Sequence, residues 1–162
     1  MLGQAAGYAA TALGYLATAG GTPMLVKEMA EACEIPGPYL AKIVNTLRRV
    51  GLVRTQRGVG GGVTLARRAQ DITLLEVCEL LGDPIVRKKC MLGVAECSDE
   101  RGCPAHKFWG AHREELVAFL KTTTIADIAA FDTRRRTRAL RTGAGVPVAL
   151  RVLEDSSPDG IA

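Results

Sequence analysis

The stretch Ile35–Ala66, IPGPYLAKIVNTLRRVGLVRTQRGVGGGVTLA, decides the fold. Ile35-Pro36-Gly37-Pro38 is a tight corner. Pro38 suits the first position of a helix, where its fixed φ is right and its missing N–H is not needed. Leu40, Ile43, Val44 and Leu47 then recur at helical spacing, which predicts a helix over Tyr39–Val50 with those four facing a core. Lys42, Asn45, Arg48 and Arg49 fall on its other faces. Gly51 ends the helix as its C-terminal cap.

Leu52–Gln56 alternates like a strand, Arg57-Gly58-Val59-Gly60-Gly61-Gly62 is a loop, and Val63–Ala66 returns. A phosphate-cradling loop is excluded, because that needs Gly-Lys-Ser/Thr opening a helix and here a β-branched strand follows. A thin hairpin tip bearing Arg57 and Gly60 instead suits a narrow minor groove, where negative potential favours arginine.

Upstream, Tyr8, Ala12, Tyr15 and Leu16 share a helical face within Met1–Ala17, and Thr18–Pro23 stops that helix with turn residues. A second helix spans Val26–Cys33, with Cys33 read as a small core residue. Two short helices, a sharp turn, a basic-faced helix and a hairpin make a winged helix-turn-helix. The expected fold is mainly α with a small β-hairpin wing. Tyr39, Lys42 and Asn45 are placed to meet base edges, Arg48 and Arg49 to meet phosphates, and Pro38 to offer shape contacts.

Downstream, Thr73-Leu74-Leu75-Glu76 is a capping-box signature for a helix to Leu81, with Cys78 inward. Three of the five cysteines then follow as C-x6-C-x5-C: Cys90, Cys97 and Cys103, with His106 three residues on. Gly93, Ser98, Asp99 and Gly102 between them are turn chemistry. Thiolates gathered by such a loop select zinc, copper(I) or an iron–sulfur cluster. Zinc more often takes closely spaced cysteine pairs. Direct thiol oxidation without metal is a further reading. A cysteine–histidine nucleophile pair is another, but no oxyanion or substrate pocket is legible for it.

Pro104 is expected to start a long helix to about Lys121. Ala105, Phe108, Trp109, His112, Leu116, Phe119 and Leu120 form its apolar stripe, and a two-fold dimer is the simplest cover for it. Thr124–Asp127 caps a short helix to Phe131. From Asp132 the arginine run and the Gly/Pro/Ser-rich end read as a disordered basic tail. The expected division is 1–82 winged helix, 83–106 cysteine loop, 107–131 dimerisation helices and 132–162 tail.

Charge follows that division. Net charge is +4, but residues 1–70 carry +5, residues 71–131 carry −3 and residues 132–162 carry +2. A basic N-terminal half suits phosphate, and the acidic middle does not. No apolar run reaches membrane-spanning length and no signal-peptide pattern is seen, so a cytoplasmic, reducing setting is expected. There, clustered cysteines favour metal binding over disulfides.

These features together resemble the winged-helix regulators that include IscR, NsrR and RirA. The resemblance rests on Gly7-Tyr8-Ala9, Pro38-Tyr39-Leu40, Leu47–Val53, Arg57–Gly62, the cysteine triplet and Cys103-Pro104-Ala105-His106, and covers about residues 1–131. It implies a homodimeric transcriptional repressor with the helix after Pro38 in the major groove of an operator and the wing arginine in the minor groove. It also implies that Cys90, Cys97 and Cys103 ligate a [2Fe–2S] or [4Fe–4S] cluster, with His106 as fourth ligand. The family's other route, a carboxylate of the partner's first helix just before the tyrosine, falls here on Gly7 and is closed. Cluster loss to nitric oxide, oxidant or iron shortage would then alter DNA binding.

Overall fold

The computed structural model describes residues 2–87, 89–92, 96, 98, 100 and 103–142. Three helices open the chain: α1 (Gln4–Thr18), α2 (Val26–Ala32) and α3 (Gly37–Arg49). A hairpin of β1 (Val53–Gln56) and β2 (Gly62–Leu65) follows, then α4 (Leu74–Leu80), α5 (His106–Thr122) and α6 (Ile125–Thr142).

The corner before α3 holds as read, but the helix begins two residues before Tyr39, at Gly37, with Pro38 inside its first turn, and ends at Arg49. Leu40, Ile43, Val44 and Leu47 are all buried, and Gly51 takes the left-handed φ of +76° that ends the helix. The hairpin is antiparallel, with Val53 opposite Leu65 and Gln56 opposite Gly62. Met24 pairs with Val63 beside it, each backbone N–H donating to the other's carbonyl at 3.0 and 2.8 Å. Gly62 makes that pairing possible: a Cβ there would stand 2.8 Å from the Met24 carbonyl oxygen.

α1 is rich in alanine because α6 lies across it. Gly14 faces Ile128, whose Cγ2 would sit 2.7 Å from any Cβ at that position. Ile125 is fully buried, and its N–H donates to the Ile72 carbonyl at 2.9 Å. Thr124 caps α6 as expected. Its N–H and hydroxyl donate to the Asp127 carboxylate at 2.8 and 2.7 Å, which holds that carboxyl below its ordinary pKa.

The C-terminal expectation needs correction. α6 does not stop near Phe131 but continues through the arginine run to Thr142, so residues 132–142 are helical rather than a disordered tail. Arginine and alanine are good helix formers, and this run carries no glycine or proline before Gly143. Residues 143–162 of that expected tail lie outside the described residues. α5 likewise starts at His106 rather than Pro104, which sits in the preceding turn.

Asp83 ties the start of α1 to the turn after α4. It is 4% exposed; one carboxylate oxygen accepts the Gly3 N–H at 2.7 Å and the other the Ile85 N–H at 2.9 Å. α1 has no side-chain cap of its own, so this carboxylate supplies an acceptor at its N-cap residue. Asp83→Ala strands two donors and is expected to cost ~2–4 kcal/mol in urea unfolding, whereas Asp83→Asn, which keeps one acceptor oxygen, should cost less.

Candidate nucleic-acid interface and metal centre

α3 presents Pro38, Lys42, Asn45, Arg48 and Arg49 to solvent. Its apolar stripe is spent on the core, so only these polar faces remain free. Asn45 Oδ1 accepts from the Arg48 guanidinium at 3.1 Å, which holds both side chains along the exposed surface. Tyr39 is half-buried, its ring edge-to-face with Tyr8 of α1 at 5.6 Å between centroids and 78° between planes. The Tyr8 hydroxyl in turn accepts from Gln4 Nε2 at 3.3 Å.

At the wing tip Arg57 and Gly60 are exposed. Gly58 and Gly60 take φ of +95° and +73°, and a side chain on Gly61 would collide with the Gln56 carbonyl. The glycines therefore make the tip thin and leave Arg57 as its cation. Sequence reading missed two further arginines. Arg54 on β1 and Arg67 just after β2 line one shallow depression with Arg48. Alternation along β1 was the available signal for Arg54, since its neighbour Val53 is buried and it is not. Arg67 also pairs with Glu76. Arg54→Ala is expected to weaken DNA binding evenly across sequences and to lower the salt slope by about one counterion, as read by titrations at several salt concentrations.

The cysteine segment is clamped at both ends to α5. Trp109 Nε1 donates to the Lys89 carbonyl at 3.0 Å, and Arg113 donates to the Val86 carbonyl at 3.0 Å. The His106 N–H donates to the Cys103 carbonyl at 3.0 Å, and Lys89 bridges Glu96 in antiparallel fashion within the loop. Cys90 and Cys103 are half-buried, with their sulfurs 3.9 Å apart. His106 is the first residue of α5, and Cys97 lies outside the described residues.

Two thiolates on one tetrahedral metal, with bonds of ~2.3 Å, stand ~3.8 Å apart. The Cys90–Cys103 pair therefore fits two thiolates on a single metal, a zinc ion or one iron of a [2Fe–2S] centre, and is too close for two irons of a [4Fe–4S] cluster without opening. The described residues bring only two of the four expected ligands into contact, and no group of three or more His, Cys, Asp or Glu among them forms a metal cluster. Gly7 brings no donor, and nothing lies within 4 Å of where its Cβ would be. The other two described cysteines are elsewhere. Cys33 is half-buried against the core; Cys78 is buried, and desolvation, helped by the Asp83 and Glu79 carboxylates, pushes its thiol up to about 11.

α5 divides its stripe. Leu120 is buried and Leu116 packs on the core, yet Phe108 and Phe119 are 62% and 57% exposed. Phe108 stacks on His112 at 5.3 Å. No helix among the described residues is long and apolar enough to cross a membrane.

A winged helix-turn-helix with a basic exposed reading helix defines a DNA-binding transcriptional regulator. The sequence matches the family described as Rrf2, iron-dependent transcriptional regulator, over residues 2–130, and the chain belongs to that family. It is 35% identical over 123 residues to an HTH-type regulator of Aquifex aeolicus (strain VF5), covering 75% of this chain and 85% of that protein. It is 30% identical to the HTH-type transcriptional regulator IscR of Vibrio atlanticus, covering 66% of this chain and 61% of that one. Among solved structures, CymR, the global cysteine regulator of B. subtilis, superposes with a TM-score of 0.67 at 26% identity, covering 81% of this chain and 97% of its own. IscR of T. potens superposes with a TM-score of 0.63 at 25% identity, covering 84% and 90%. These relatives are regulators, and the chain is a DNA-binding regulator and not an enzyme.

Proposed function

We propose that the protein is a cytoplasmic, homodimeric repressor whose operator binding is governed by an iron–sulfur cluster on Cys90, Cys97 and Cys103, with His106 as fourth ligand. The observation that carries this reading is the match to a family described as iron-dependent regulators, and the approach of Cys90 and Cys103 to 3.9 Å on a loop clamped to α5 supplies two thiolates that one metal could share. When bound, the cluster supplies a centre that reacts with oxidants and nitric oxide and that reports iron supply. The protein's own residues do the reading. Tyr39, Lys42 and Asn45 meet base edges, Arg48, Arg49 and Arg54 meet phosphates, and Arg57 enters the minor groove beside Gly60. The exposed Phe108 and Phe119 give α5 a self-complementary apolar face, and a two-fold mate there sets the spacing of the two α3 helices at about one DNA turn, ~34 Å.

Anaerobic purification tests the cofactor: a brown protein with sulfide and iron supports the reading, and a colourless zinc protein removes it. Arg57→Ala tests the wing. Loss of ~1–3 kcal/mol in specific operator binding is expected, and unchanged affinity would take the wing out of the interface.

The CymR likeness favours a second reading, in which the winged helix answers a thiol metabolite without iron, because that neighbour is a cysteine regulator. The absorption spectrum separates the two.

A further inference from the structure

Once no metal holds them apart, Cys90 and Cys103 are already partners. Their sulfurs are 3.9 Å apart, and a disulfide needs ~2.05 Å. Both ends of the loop are fixed to the start of α5: Lys89 through Trp109 Nε1 at 3.0 Å, and Cys103 through the His106 N–H at 3.0 Å. Lys89 also pairs with Glu96 in an isolated antiparallel bridge. The sulfurs are thus brought together by protein–protein contacts that need no metal. Both cysteines are half-buried rather than sealed in the core, and Met91 and Leu92, which follow Cys90, are exposed.

We infer that Cys90 and Cys103 form a disulfide when the centre is empty, which makes this loop a peroxide-sensitive thiol pair as well as a ligand set. The inference rests on the assignment of these two cysteines to the cluster only in that the bond and the cluster compete for the same sulfurs. One thiolate attacks a peroxide oxygen, the O–O bond breaks, and a sulfenic acid and hydroxide form. The second thiolate attacks the sulfenic sulfur, an S–S bond forms and hydroxide leaves. Two thiols lose two protons and two electrons; hydrogen peroxide becomes two waters. With two ligands tied, the loop cannot rebuild a cluster until a dithiol reduces it. Cys78, buried with its thiol pushed up to about 11, stays outside this chemistry.

The test uses the whole chain without metal, oxidised with hydrogen peroxide, alkylated at remaining thiols and cut after Lys/Arg and after Glu. Cleavage at Glu96 separates Cys90 from Cys97, so the bond can be assigned by mass. The expected product joins Cys90–Glu96 to Gly102–Lys107, disappears on reduction, and persists in Cys97→Ser. Cys33 and Cys78 should be recovered alkylated. Cross-links through Cys97 alone, or alkylated Cys90 and Cys103 after peroxide, overturn the inference. The cluster reading fails separately: a chain that forms this bond but never takes up iron and sulfide keeps the thiol pair and loses the cluster. A chain that takes up the cluster but yields no Cys90–Cys103 bond does the reverse.

Discussion

Leu40→Ala is expected to lower unfolding stability by ~2–5 kcal/mol in urea titration, with the denaturant slope unchanged. Leu40 has no exposed surface and belongs to the buried face of α3, the helix that packs against α1, α2 and β1. Truncation removes three carbons that no neighbour can replace, because the helix is pinned at both ends. Its own N–H donates to the Pro36 carbonyl at 2.9 Å, and past its C-terminus the Leu52 N–H donates to the Leu47 carbonyl at 2.9 Å. Domains of this size hold ~5–15 kcal/mol in all, so one truncation removes a large share. A loss under ~1 kcal/mol would mean that α3 does not rest on this side chain.

The largest functional effect is expected at the cysteine pair. Cys90→Ala or Cys103→Ala should each abolish visible absorbance after anaerobic purification and leave the thermal unfolding midpoint close to that of the metal-free wild type. The two sulfurs are 3.9 Å apart and belong to a loop outside the buried core, so their loss removes ligands without opening a cavity. Cys78→Ala should behave in the opposite way. Its side chain is buried in the hydrophobic core, so stability falls while the colour stays. Colour retained in Cys103→Ala would contradict the ligand assignment.

The winged helix was legible because its signals are local. Pro36-Gly37-Pro38 dictates a corner, Gly51 dictates a stop, and a β-branched return after a glycine run dictates a hairpin rather than a phosphate loop. Thr73 was legible only in part. Its hydroxyl accepts the Glu76 N–H at 3.2 Å, but the Glu76 carboxylate turns to Arg67, a partner the hairpin delivers from nine residues away. Nothing local could announce that choice. The length of α6 was misread because a run of arginines looks like a solvated tail by charge and like a good helix by propensity. Packing of Ile128 against Gly14 of α1 anchors the helix from which the run continues. The reading helix showed its cations by periodicity, whereas Arg54 and Arg67 joined Arg48 only once the hairpin folded back. The closeness of Cys90 and Cys103 was implied by turn residues, but its cause was not. The clamps from Trp109 and Arg113 come from 20 and 27 residues away.

Operator titration under anaerobic conditions, at one fixed salt concentration, bears most directly on the claim that the metal centre sets DNA affinity. The same preparation is titrated before and after removal of iron and sulfide, with the apo sample kept reduced. The account predicts two curves separated by ~5–150-fold, the range of a coupling of ~1–3 kcal/mol between two sites. Superimposable curves would contradict it.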